Sequence, residues 1–172
     1  MAVLEILKYP DPRLRQVAKP VEQVTEETRQ ICESMAETMY AANGCGLAAP
    51  QVGIDARIFV IDTASEEETS QLQVFINPEI IATEGVQTWE EGCLSFPGAS
   101  EEIRRAERVK VKALDQFGTP FELEATGLLA IALQHENDHL NGVLITDRMG
   151  PVAKMAFRKK LKEMEDEFNG AK

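Results

Sequence analysis

Apolar residues recur along this chain with two distinct periods. Between Glu26 and Ala42 they return every fourth position, at Ile31, Met35 and Met39, the spacing that lines one face of a helix. Thr25 stands where such a helix needs a side chain to cap its first free amides. Beyond it the period shortens, and Ala56–Ile61, Val74–Ala82, Gln87–Leu94, Arg108–Leu114 and Pro120–Glu124 read as strands. Arg108-Val109-Lys110-Val111-Lys112 alternates as a half-exposed strand does. Asp115-Gln116-Phe117-Gly118 marks the turn between the last two strands, and the polar stretch Ser65–Gln71 reads as a loop tip. From Gly127 the pattern turns helical again and ends at Gly142. Leu128, Ile131, Ala132, His135 and His139 share one stripe of that helix, while Leu129, Leu133 and Leu140 cover other faces, so it is expected to be buried nearly all round. Pro151–Phe168 predicts an amphipathic helix with Phe157, Leu161, Met164 and Phe168 as its apolar stripe. The class is α+β.

Composition narrows the setting. With 172 residues, no internal repeat and no linker, a single domain spanning 1–172 is expected, and no coiled-coil pattern suggests anything but a monomer. A formal net charge of −11 argues against general nucleic-acid binding. Three cysteines, Cys32, Cys45 and Cys93, cannot complete a disulfide framework. Cys32 reads as a buried helix residue. With neither a signal peptide nor a membrane-spanning stretch, the expected location is the cytoplasm.

The chemistry concentrates in one pentapeptide. The chain has two histidines, and both lie in His135-Glu136-Asn137-Asp138-His139. That is H-E-x-x-H, which sets two imidazoles one helical turn apart with a carboxylate beside them. Buried imidazoles need partners, and one metal ion serves both. On the helical wheel Glu136 lies about 100° from His135 and about 60° from His139, so it can flank the metal without ligating it. A catalytic divalent metal usually takes three protein ligands. Three sources of the third are open. A metzincin pattern would require His where Ile145 stands, and fails. A thermolysin-like pattern would need Glu163, Glu165 or Glu167, which belong to a highly charged run. Cys93, in Glu90-Glu91-Gly92-Cys93-Leu94-Ser95, is the third candidate.

Glu91-Gly92-Cys93-Leu94-Ser95 followed by the His pentapeptide resembles the peptide deformylases. So does Gly44-Cys45-Gly46-Leu47-Ala48-Ala49-Pro50-Gln51, the family's G-x-G-L-A-A-x-Q loop, and the opening Leu7-Lys8-Tyr9-Pro10-Asp11-Pro12-Arg13. The resemblance implies mostly antiparallel sheets around a buried central helix that carries H-E-x-x-H, plus N-terminal and C-terminal helices. It implies removal of the N-formyl group from the initiator methionine of nascent polypeptides, with release of formate. By motif match Cys93, His135 and His139 are the metal ligands and Glu136 the general base. The Gln51 side-chain amide and the Leu94 backbone N–H are the oxyanion donors.

Substrate contacts are expected from Cys45 and Gly46, where strand-like pairing with a peptide would exploit a close backbone approach. Trp89, Leu128 and Ile131 are pocket-wall candidates for a methionine side chain, and each could equally be simple core. Glu91 is expected near the site, orienting a ligand or the substrate. Asp138 is expected to pair with Arg105, whose alternative is an exposed surface pair. The implied cofactor is one divalent ion, Fe2+ in cells, with Zn2+, Ni2+ or Co2+ also compatible. Asn137 departs from the apolar or aromatic residue common in the family and is expected to alter packing only. Lys154, Arg158 and Lys162 form a basic row on the last helix. Either it is a solvated face, or it docks near the ribosomal exit tunnel as in bacterial relatives. Two rival functions stand beside this reading: a zinc endopeptidase with a downstream Glu ligand, and a non-catalytic binding protein with the same fold.

Overall fold

The computed structural model describes residues 3–64 and 71–170. Ser65 to Ser70 of the expected loop tip lie outside the described residues. Thr25 caps α1 (Glu26–Ala41) as its sequence predicts: its hydroxyl accepts from the Thr28 amide, and the Thr28 hydroxyl accepts from the Thr25 amide. Met35 and Met39 are wholly buried on the inner face, Cys32 is buried beside them, and Ile31 is half-buried at the edge. Past the helix end Asn43 takes a left-handed conformation, φ 57°. This reverses the chain into the first strand.

Seven strands follow in chain order: β1 (Gly46–Ala48), β2 (Ile58–Ile61), β3 (Gln73–Glu84), β4 (Gln87–Cys93), β5 (Phe96–Arg105), β6 (Arg108–Leu114) and β7 (Pro120–Thr126). They form two antiparallel sheets, one of five strands in the order β1-β2-β3-β6-β7 and one of two, β4-β5. The five expected strands are all present, with ends displaced by a few residues.

Two strands have no counterpart in the periodicity. β1 has only three residues, too few to show a period. β5 begins Phe96-Pro97-Gly98, a composition that argues against a strand interior. It is tolerated because β5 pairs on one side only, with β4, and its later half alternates correctly: Ile103 and Arg105 are buried while Glu102 and Arg104 are exposed. The Asp115–Gly118 turn is present, closed by the Gly118 amide on the Asp115 carbonyl at 3.0 Å.

Alternation along β2 explains the layering. Ile58 and Val60 face α1, in a cluster with Met35, Met39, Leu47 and Ile76. Phe59 and Ile61 face the opposite way, toward α2 (Gly127–Leu140), where Phe59, Phe75, Ala130 and Leu133 pack together. Phe59 and Phe75 lie 4.9 Å apart, a tilted aromatic pair. The small sheet has its own core. Phe96 and Ile103 pack there with Leu14, Leu144 and Ile145, and with Phe157 and Met164 of α3 (Pro151–Gly170). α2 thus sits between the large sheet and the small one, buried over most of its surface as its sequence predicts.

The exit from α2 is sharp. Leu140 and Asn141 are followed by Gly142 in the left-handed region, φ 73°, against the Arg15 backbone carbonyl. Beside it the Ala18 amide donates to the Leu140 carbonyl at 2.8 Å. A side chain at Gly142 would meet both the φ penalty and the carbonyl. Gly142→Ala is therefore expected to destabilise the fold by about 2 kcal/mol or more. Urea unfolding should show it as a lowered midpoint at unchanged slope; a midpoint within error of wild type would contradict the packing described.

Candidate metal centre

α2 is composed of good helix formers with no internal glycine or proline after its first residue. It places His135 and His139 one turn apart with ring centroids 5.1 Å from one another. The third donor arrives from the small sheet. The β4–β5 register shifts between Gly92 and Cys93, and such an irregularity re-aims the side chain that follows it. Cys93 Sγ lies 3.4 Å from His139 Nε2. One ligand atom from each of Cys93, His135 and His139 falls within 4.8 Å of the others. None of Glu163, Glu165 and Glu167 joins them, and Glu165 instead accepts from the Tyr9 hydroxyl at 2.8 Å. The rival reading, a downstream glutamate as third ligand, finds no support among the described residues. A thiol and two imidazoles are a donor set suited to zinc, iron, cobalt or nickel, so these residues fit a divalent metal.

The imidazole orientation supports that fit. His135 Nδ1 lies 3.0 Å from Glu91 Oε1, which commits that nitrogen and leaves Nε2 for a ligand. His139 Nδ1 and Glu136 Oε1 are buried and have no hydrogen-bond partner among the described residues. Glu136 is only 4% exposed. A buried carboxylate oxygen without a donor is costly and is expected where a reacting group will supply one.

Glu91 and Arg105 hold this arrangement. Arg105 is 6% exposed, not the surface partner that was the alternative expectation. Its Nε and Nη2 donate to the two Glu91 oxygens, both at 2.9 Å, and its Nη1 donates to Asp138 at 2.6 Å. Arg148 closes the other side of Asp138 with bonds of 3.0 and 2.8 Å. Nothing in the sequence pointed to Arg148, because the contact is made by the fold and not by a local pattern. Glu91 does not face the cavity as a free carboxylate: both oxygens are engaged, so it orients His135.

With the protein's own groups alone, burial pushes the Glu136 carboxyl up to about 7, against the pull of the His135 and Arg105 charges. Burial also opposes charge on His135, but the neighbouring Glu136, Cys93 and Glu91 outweigh it and raise that imidazole well above its ordinary value. His139 goes the other way, driven well down by burial and then by the charge of His135. Glu91 is held below its ordinary value because hydrogen bonds from His135 and Arg105 outweigh its burial.

A cavity of about 670 Å³ opens onto the centre. Its chemistry-bearing lining is Gln51, Cys93, Leu94, His135 and Glu136. Cys45, Gly46, Trp89, Glu91, Leu128 and Ile131, the predicted substrate contacts, lie along its walls. His139 lies behind, 1% exposed. Ile131 is buried, while Trp89 and Leu128 are partly exposed at the mouth. The loop glycines are needed for close approach. A Cβ at Gly46 would lie 2.6 Å from Glu136 Oε2, and one at Gly44 would lie 2.8 Å from Leu94 Cδ1. Phe96, Ser100 and Asn43 also line the cavity and were not anticipated. Asn137, the departure from the family pattern, is half-buried with its Oδ1 lacking a partner among the described residues. It is neither a member of the donor set nor part of the cavity lining.

This arrangement has close counterparts. The sequence profile of the family described as polypeptide deformylase matches residues 3–155. A peptide deformylase of Chromobacterium violaceum is 53% identical over 165 residues, 96% of this chain and 98% of that protein. One of Alkalilimnicola ehrlichii is 51% identical over 164 residues, 95% of this chain and 92% of that one. The crystal structure of a peptide deformylase from Legionella pneumophila superposes with a TM-score of 0.88 at 48% identity, covering 96% of each chain. With the profile, the relatives and the fold all in agreement, the chain belongs to the polypeptide deformylase family.

Proposed function

We propose that the enzyme removes the N-formyl group from the N-terminal formyl-methionine of nascent polypeptides by means of one divalent ion held by Cys93, His135 and His139. The observation that carries this reading is the buried Glu136 carboxylate, with an uncommitted oxygen beside two imidazoles and a thiol at the floor of the cavity. A binding module has no chemical use for a carboxylate so placed. The ion, Fe2+ in cells and replaceable by Zn2+, Ni2+ or Co2+, would supply Lewis acidity that lowers the pKa of water and polarises the formyl carbonyl.

The protein's groups do the rest. Glu136 takes a proton from the attacking water and returns it to the methionine nitrogen as the formyl C–N bond breaks, so formate and a free amine leave. The Gln51 amide and the Leu94 backbone N–H face the formyl oxygen and stabilise its developing negative charge. Glu91 fixes His135 by its Nδ1. Trp89, Leu128 and Ile131 enclose the methionine side chain. Gly46 opens β1, an edge strand of the five-stranded sheet, with Cys45 just before it, so an extended peptide can add as a further strand along that edge. Three free cysteines support a reducing, cytoplasmic setting, and the chain acts as a monomer. No helix of the described residues is long and apolar enough to cross a membrane.

The exposed row Lys154, Arg158 and Lys162 on α3 makes no ion pair among the described residues. It supports docking at the ribosome, where nascent chains emerge.

Glu136→Ala is expected to keep one equivalent of metal while formate release from formyl-Met-Ala-Ser falls by about 10²–10⁴; a rate near wild type would remove the base from the scheme. Reversing Lys154, Arg158 and Lys162 to Glu should abolish co-sedimentation with ribosomes and leave hydrolysis of the free tripeptide unchanged. Undiminished co-sedimentation would end the docking proposal.

A further inference from the structure

Ser95 follows the Cys93 motif, is 0% exposed, and neither ligates nor lines the cavity. Its hydroxyl lies 2.7 Å from the Leu7 carbonyl and 3.2 Å from Gln51 Nε2. A carbonyl can only accept, so the Ser95 hydrogen is committed to Leu7 and its oxygen can offer Gln51 nothing but a lone pair. At the other end of the amide, Gln51 Oε1 accepts from the Ala48 N–H at 3.0 Å, and a backbone N–H can only donate. The two contacts together leave one orientation. Flipping the amide would set Nε2 against the Ala48 N–H and Oε1 against the Ser95 lone pair. In the allowed orientation one Nε2 hydrogen goes to Ser95 and the other goes to Cys93 Sγ at 3.7 Å, a long bond on the cavity side that a formyl oxygen would compete for.

We infer that Ser95 is a positioning residue: it locks the Gln51 amide so that its second N–H points at the reacting carbonyl. The inference rests on the proposed role of Gln51 as an oxyanion donor. The lock extends to the second donor. The Leu7 amide donates to the Gln51 backbone carbonyl at 2.7 Å, and the Tyr9 amide donates to the Ser95 carbonyl at 3.0 Å. A short N-terminal strap therefore ties the backbone at Gln51 to the backbone next to the Leu94 N–H. Two donors far apart in the chain are held in one frame by a serine hydroxyl and three main-chain groups. Preorganised donors act on the transition state more than on the bound substrate, so the effect belongs in kcat and not in KM.

A double-mutant cycle on the zinc-loaded enzyme tests this. Gln51→Ala is expected to lower kcat by about 10²–10³. Ser95→Ala should lower it by about tenfold with KM unchanged, and by less than about twofold when Gln51 is already Ala. A Ser95 effect of the same size in both backgrounds, or none in either, would overturn the inference. If Ser95→Ala does not fold, Ser95→Cys, a weaker acceptor of similar shape, takes its place in the cycle, with the same pattern expected and the same results overturning it. A second readout needs no turnover. In 15N-edited NMR spectra the Gln51 side-chain amide, identified by its loss in Gln51→Ala, should shift and exchange faster with solvent in the Ser95 variant; unchanged resonances would refute the lock. If the wild type releases no formate, the proposed function fails, and the NMR arm still decides whether Ser95 holds Gln51.

Discussion

Everything at the centre depends on bringing a thiol from one sheet against two imidazoles on a helix that packs under another. β4 and β5 share no strand with the five-stranded sheet, so no backbone ladder fixes Cys93 relative to His135 and His139. Arg105 does. From β5 it grips Glu91 on β4 and Asp138 on α2, and Glu91 in turn holds His135. Burying such charges is expensive unless every one is matched. Here they are matched: two arginines lie against two carboxylates, with an imidazole on the end. Because removing one partner of a buried pair costs about 3–5 kcal/mol, any drift of the small sheet from α2 is opposed where the donor set is assembled.

The same region is built without slack on the substrate side. Gly46 is the size it is because Glu136 lies against it, and Gly44 because Leu94 does. The loop that carries Gln51 and the turn that carries Leu94 meet at the cavity, braced by Leu7 and Tyr9. Glu136 can be both buried and short of donors because the fold around it is over-determined. Burial raises its carboxyl to about 7, which suits the proposed base, a group that would gain and lose a proton near neutrality.

Much of this was legible in the sequence, and what was not has a physical reason. Helical periodicity located α1, α2 and α3 because each buries one or more faces over many residues. H-E-x-x-H could be read because its spacing is itself geometry: four residues make one turn. Cys93 was one candidate among several until the resemblance singled it out, since nothing local says that a strand end will meet a helix. β1 was too short to show a period, and β5 begins with a proline and a glycine that its one-sided pairing tolerates. Arg148 and Ser95 were invisible as partners, and the Arg105–Asp138 pair was reached only through resemblance. Their contacts join segments distant in the chain, and a single sequence carries no record of which distant positions will touch.

X-ray absorption at the metal edge of the zinc-loaded enzyme tests the central claim most directly. Cys93, His135 and His139 together predict one sulfur at about 2.3 Å and two imidazole nitrogens at about 2.0–2.1 Å. A shell of nitrogen and oxygen alone, with no sulfur, would contradict it: the thiol would then not be a ligand, and the junction between the two sheets would serve some purpose other than metal binding.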